Sequence, residues 1–389
     1  MFSMSDTAAL IASWARSAVA PLGGAFHTLT AHDIAAPVLL ALLQRAGLSP
    51  DNVDAVVLGN ALGAGGNPAR MVALAAGLPD RCAAFSIDTQ CCSGLDAVAM
   101  AVGLLTSGQA EVVVAGGAEA WSRSPIRQHR PLHADAAAVP FDRPAFAPDP
   151  ARDPDLIQAA ADYAAAQGLS RQQQDLYACE SHARAVQHRD LLTAEIVPVR
   201  GLAHDAYPRH LRPTSVARMP VQAQAATERG DTCAVSTLAV SARADGAALV
   251  LLMTPQASLR LGITARAQWL ASASVGGDPA MPLLAAEAAT RTLLCRAGVA
   301  QVSQLHSIEL HDAFAVQGLA YCQALGLETT QINRFGGGVA RGHPIGASGA
   351  IALVRVLADL QRQASAGALG LASVAGAGGI GAAALVRWC

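Results

Sequence analysis

Residues 88–95 read DTQCCSGL and residues 342–349 read GHPIGASG. Both are tight polar turns that pass into small residues, then into an apolar helix, then into a glycine-edged strand. After the first turn, Ser93 to Leu105 is almost wholly apolar, and Glu111 to Gly117 (EVVVAGG) reads as a buried strand. The second turn repeats that order between Gly342 and Gly376, the pattern of an internal duplication. Two similar α/β halves packed together would aim the two turns at each other. Cys91 and His343 are therefore expected in one cleft.

Upstream, Thr30 caps a helix with Ile34, Val38 and Leu42 on one face, and Gly47 stops it before a strand at Val53–Leu58. Asn67 followed by Pro68 opens a second helix, which Gly77 ends ahead of a strand at Ala84–Asp88. This alternation predicts βαβ units and a parallel sheet. From Trp121 to Cys233 the composition shifts to Arg, His, Pro, Asp and Gln, with one helix opened by Ser170, as expected of an inserted loop domain. The domain reading is residues 1–120 with 234–255 as the first half, 121–233 as the insertion and 256–389 as the second half. The uncharged run Leu369–Val386 is read as a tight hairpin between two buried strands, turning at the glycines around Ala377, in preference to a membrane span.

Composition narrows the chemistry. The 389 residues are 52% hydrophobic and only 14% charged, which favours extensive buried sheet and a homo-oligomer, a dimer or tetramer. A net charge of −2 offers no field for nucleic acid or anionic lipid. There is no lysine, so Schiff-base and P-loop lysine chemistry are excluded and arginine is the one fixed cation. The eight cysteines lack metal-ligand spacing and no signal-peptide pattern is present, which points to a reducing cytoplasm. His129 and His133 flank Pro131, which breaks the helix a metal pair would need, so no metal is expected. Arg209, Arg212 and Arg218 read as solvated loop residues.

Cys91 stands where backbone N–H groups and a helix dipole favour a thiolate, and His343 opens a glycine-rich helix start. Position alone leaves Cys92 equally eligible. His311 ends the strand Ile308–Leu310 in a third turn. Five dispersed motifs, C-x-S-G-L at Cys91, N-P-A-R at Asn67, A-G-G-x-E at Ala115, H-D-A-F-A-x-Q at His311 and G-H-P-x-G-x-S-G at Gly342, together resemble the thiolase superfamily over nearly the whole chain. The resemblance selects Cys91 over Cys92 and implies a five-layered αβαβα fold. It also implies acyl-coenzyme A as substrate with no further cofactor, and an acyl-cysteine intermediate leading to Claisen condensation or thiolysis in fatty acid or lipid metabolism. Ser241 matches a pantetheine-contacting serine, and Gly379 belongs to a substrate-binding glycine turn. Where many thiolases carry a second cysteine this chain has Ala375, and the alternative location is Ala313. His311 replaces a common asparagine, Asp88 replaces another, and Cys91, His311 and His343 match the triad of β-ketoacyl synthases. The alternatives are accordingly a decarboxylative condensing enzyme, a plain acyl transferase, or a silent thiolase-like subunit.

Overall fold

The computed structural model describes residues 8–63 and 65–389. Nine strands form the main path of one sheet: β1 (Ala9–Ser17), β2 (Ala55–Gly59), β3 (Ala83–Ile87), β4 (Val112–Ala120), β5 (Ala244–Met253), β6 (Ala267–Gly276), β7 (Leu305–His311), β8 (Leu369–Gly376) and β9 (Ile380–Trp388), in the order β7-β8-β9-β6-β1-β5-β4-β2-β3. The order within β1-β5-β4-β2 is repeated as β6-β9-β8-β7, so the duplication read from the two turns is present in the strand topology. Within the sheet the halves pair at three positions, Ala9–Ile11 against Ala267–Trp269. Beyond that seam they diverge.

Two helices fill the divergence: α3 (Ser93–Thr106) and α8 (Ser348–Gln363). Alternation along the strands shows the layering. Ala55 and Val57 of β2 and Val113 and Ala115 of β4 join the same core as α3 and α8, whereas Val56, Leu58, Val112 and Val114 face α1 (Ala31–Ala46) and α2 (Pro68–Ala75). In the second half Ala372 and Val374 face the central helices. Leu371 and Leu385 face α6 (Ala285–Ala297) and α7 (Ala315–Leu325). Five layers in the order αβαβα result.

The sheet is mixed: the parallel pairing expected of the βαβ units and the hairpin expected around Ala377 are both present, and a further antiparallel pair was not expected. β2, β3 and β4 are parallel, as are β7 and β8, but β4 runs antiparallel to β5, and β8 to β9. The connections decide this. Ala377, Gly378 and Gly379 form a tight turn that leaves β9 no course but to reverse, with both glycines at positive φ. At the equivalent place between β4 and β5 the chain inserts residues 121–243, which carry α4 (Leu156–Gln167) and α5 (Arg171–Gln187). The Ser170 cap marks α5. The alanine-rich α4 was missed, although Asp155 accepts from two N–H groups at its start and Gly168 closes it in the left-handed region. No helix among the described residues is long and apolar enough to cross a membrane.

The two turns meet through glycines. A Cβ on Gly117, at the centre of β4, would stand 1.9 Å from the carbonyl oxygen of Gly346, and one on Gly94 would stand 2.7 Å from it. Gly117→Ala must therefore push the two halves apart, and we expect it to cost more than about 3 kcal/mol in urea unfolding or to yield insoluble chain. Gly103→Ala, on the exposed face of α3 with open space around it, should instead stabilise by up to about 1 kcal/mol.

Candidate active site

The chain enters the first turn from β3 through Gln90, a non-glycine residue held at φ 52°. A left-handed conformation costs such a residue on the order of 1–3 kcal/mol, and the turn is tied to hold it. Asp88 Oδ1 accepts from Gln90 N at 2.9 Å, and Ser93 Oγ donates to Gln90 O at 2.6 Å while accepting from Thr89 N at 2.9 Å. This bend separates the two cysteines. Cys92 points toward the core with Sγ 3.7 Å from Val374 O, whereas Cys91 Sγ lies 3.0 Å from His343 Nε2.

His343 is oriented from behind. Its Nδ1 lies 2.7 Å from Ser348 Oγ, and that hydroxyl is 2.9 Å from Pro344 O. A hydroxyl has one proton, and Pro344 O can only accept it. Ser348 must then accept from Nδ1–H, which leaves Nε2 with a free lone pair facing the thiol. Burial lowers His343 to about 4 and pushes Cys91 up to about 12. N–H groups of Ala377 and of Cys91 itself act on the sulfur in the opposite direction and are outweighed by burial. The resting pair is a neutral thiol on a neutral imidazole, and the thiolate arises when the proton moves to Nε2.

His311 stacks on His343 with ring centroids 4.4 Å apart. Burial first, then His343 and the Arg341 cation, hold it neutral well below the usual histidine value. Its Nε2 is buried, with no hydrogen-bond partner among the described residues. Asp312 beside it accepts from Tyr177 Oη at 2.8 Å and from Gly338 N, which fastens α5 of the insertion to the end of β7. A cavity of about 80 Å³ opens at Cys91 and His343, walled by Leu156, Leu283, Phe314 and Ala375, with Ala377 and Gln317 also at its surface.

A carboxylate locks the approach. Glu119, at the end of β4, accepts from Asn60 Nδ2 (2.8 Å), Ala61 N (2.9 Å), Leu62 N (3.3 Å) and Gly346 N (3.0 Å). It joins the first half to the turn that carries His343.

Comparison with known proteins agrees with this geometry. The family model for the thiolase N-terminal domain matches residues 9–256, and that for the C-terminal domain matches residues 263–388. The chain belongs to the thiolase family. It is 34% identical over 402 residues to an acetyl-CoA acetyltransferase of Rhizobium meliloti, covering 99% of this chain and 100% of the relative. Against the acetyl-CoA acetyltransferase of Cupriavidus necator it is 33% identical over 406 residues, covering 98% and 99%. The crystal structure of the Bacillus anthracis acetyl-CoA acetyltransferase superimposes with a TM-score of 0.89 at 29% identity, covering 100% of both chains.

Of the residues singled out in sequence, this thiolase brings Cys91, His343 and His311 together, although His311 is behind His343 and does not wall the cavity. Ser241 is buried nearby, with its hydroxyl donating to Gly338 O at 2.6 Å. Gly379 is displaced from the expected role. Its carbonyl accepts from Gly277 N at 2.7 Å and its Cα packs on Asp278, so within this turn Ala375, Gly376 and Ala377 are the residues that reach the cavity. Position in the motif gave Gly379, but the sharp reversal turns it toward β6. His129 stacks on Phe141, and no cluster of metal-ligating residues occurs among the described residues. Sequence reading passed over Ser348, Glu119, Gln317 and the Ala377 N–H. All but Ala377 lay inside quoted motifs, where their chemistry could have been asked about.

Two outcomes check this site. Ser348→Ala removes the group that fixes the imidazole tautomer and should slow iodoacetamide alkylation of Cys91 by about tenfold, while the buried Nδ1–H left without a partner lowers stability by about 1–3 kcal/mol in urea unfolding. Because His343 is depressed to about 4, its proton-accepting form persists down to that value. Alkylation should therefore stay nearly level from pH 8 to 5 and fall below pH 5. In His343→Gln, the rate should instead climb through the alkaline range, as the thiol titrates unaided.

Proposed function

We propose that this thiolase transfers a short acyl group from a coenzyme A thioester to Cys91, then to the α-carbon of a second acyl-CoA, and that it runs the same steps backwards as thiolysis. The observation that carries the reading is the 3.0 Å contact between Cys91 Sγ and an imidazole whose other nitrogen is held by Ser348. The proton of Cys91 passes to His343 Nε2, the thiolate adds to the thioester carbonyl, and the oxyanion is received by the N–H groups of Cys91 and Ala377. The coenzyme A thiolate departs with the proton from His343. A thioester on Cys91 remains.

The 80 Å³ cavity has room for an acyl chain of a few carbons, and its apolar wall of Leu156, Leu283 and Phe314 favours a chain without polar groups. In the second step His343 Nε2, free again once coenzyme A has left, would take the α-proton of the second thioester, whose carbanion attacks the Cys91 thioester and expels the thiolate; the neutral His311, stacked behind His343 and outside the cavity wall, would act on the enolate through a bridging water. Ala375 supplies no thiol, so removal of the α-proton is expected to be the slow step. A silent scaffold is disfavoured by an oriented Cys91–His343–Ser348 chain, which would have no use there. The oligomer is proposed as a homodimer: the edge strand β3 exposes Phe85, with Met71, Leu74 and Met100 exposed on α2 and α3. A cytoplasmic location is part of the same proposal.

The deciding experiment combines the purified protein with acetyl-CoA and with acetoacetyl-CoA, reading intact mass and coenzyme A release. An acetyl adduct absent in Cys91→Ala, together with turnover of acetoacetyl-CoA, is expected. An adduct without turnover would replace this reading with plain acyl transfer. Ala375→Cys should raise acetoacetyl-CoA thiolysis by about tenfold or more while leaving the acetylation rate of Cys91 unchanged.

A further inference from the structure

The largest buried polar assembly of the chain has no part in the chemistry at Cys91. Arg16, wholly buried, donates to Glu195 (2.7 Å) and to Asp205 (2.7 and 3.0 Å). Arg355, also wholly buried, donates to the other oxygen of Glu195 and lies 3.9 Å from Glu309. Arg362 approaches Glu195 to 3.8 Å, Arg334 pairs with Asp359 at 2.5 Å, and buried Arg341 feels Asp205 and Glu309 without an ion pair. Five arginines thus share four carboxylates. Buried atoms with no hydrogen-bond partner among the described residues include two donors each on Arg341, Arg355 and Arg362, six in all, against two acceptors, Glu309 Oε2 and Asp359 Oδ1. Buried cations without counter-charge are costly, so a surplus of this kind points to a missing anion.

Part of this cluster reaches a pocket open to solvent. Arg45, Arg266 and Arg362 line a pocket of about 470 Å³ with Glu195, the one carboxylate on its wall among the described residues and one already engaged by Arg16 and Arg355. Arg45 and Arg362 lie in the last turns of α1 and α8, where each helix end offsets about half a charge. Arg45 also donates to Trp14 O, and Arg362 lies over the Phe335 ring at 4.9 Å. Arg266 lies outside any helix and has no carboxylate within ion-pair distance among the described residues. We propose that this pocket is a binding site for a small phosphorylated anion, its phosphoryl group held by Arg266 and Arg362 with Arg45 at the rim. Arginine forks suit phosphate oxygens, and the volume exceeds what a lone phosphate needs. The site is separate from the acyl cavity: α8, 16 residues and about 24 Å long, runs from Ser348 behind His343 to Arg362.

The test is calorimetric titration of the full chain at low salt with inorganic pyrophosphate and, separately, with ADP, each first without and then with saturating coenzyme A. We expect one saturable site per chain with Kd below about 1 mM, weakened about tenfold or more in Arg266→Gln/Arg362→Gln. Cys91 acetylation by acetyl-CoA should persist in that variant, which shows that it is folded. Arg266→Gln alone, a surface change, should weaken binding by a smaller factor. Equal affinity for both probes would assign the site to the phosphoryl group alone, and tighter binding of ADP to a nucleotide. No binding at millimolar probe, binding displaced by coenzyme A, or binding unchanged in an acetylation-competent double variant would each overturn the proposal.

Discussion

The contact on which this structure depends is a meeting of backbone with backbone. Gly346, in the second-half turn, puts its carbonyl against Gly94 and Gly117 of the first half, at distances where a single methyl group would collide. Because no side chain intervenes, α3 and α8 pack closely enough for their leading turns to share one cavity. Glu119 reinforces the contact from the side, accepting from Gly346 N and from three donors in the Asn60–Leu62 segment. The 3.0 Å separation of Cys91 and His343 follows from that approach, since each side chain stands at the rim of a turn whose position the glycines determine.

Burial governs how the pair works. A thiol pushed up to about 12 and an imidazole depressed to about 4 rest as a neutral pair, so the reactive thiolate is reached by passing the proton to His343 Nε2. Ser348 matters for the same reason: in a neutral imidazole the two nitrogens differ, and its hydroxyl settles which one faces Cys91. The second histidine adds a neutral ring stacked on the first, held from charging by burial and by the Arg341 cation.

The insertion between β4 and β5 occupies the place that the tight Ala377–Gly379 turn holds in the second half. Duplication thus left one connection short and allowed the other to grow into a covering region, anchored by Tyr177 on Asp312 and by Ser181 Oγ on Gly337 N. The short turn brings the Ala377 N–H to the sulfur of Cys91. The long one brings Leu156 to the cavity wall. Ala375, where a second thiol would sit, leaves the wall apolar at that point.

Much of this was legible before any coordinates. The capped helices at Thr30 and Asn67, the repeat of turn, helix and strand, and the pairing of Cys91 with His343 all follow from local rules: cap chemistry, hydrophobic period, and the position of polar residues at strand ends. The reversal of β9 was legible in the glycines around Ala377, whereas the direction of β5 was not, because its polarity is set by a long connection and by partners far apart in the chain. Gly379 was misplaced for a related reason, since a motif gives order along the chain and a tight reversal decides which face each residue takes. The choice of Cys91 over Cys92 came from resemblance, and its physical cause is the left-handed bend at Gln90. Sequence by itself determined which chemical groups are present, including the absence of any lysine and of a thiol at position 375. Tertiary structure decided which of them lose water and which meet, because desolvation and contact depend on segments far apart in the chain, 252 residues in the case of Cys91 and His343.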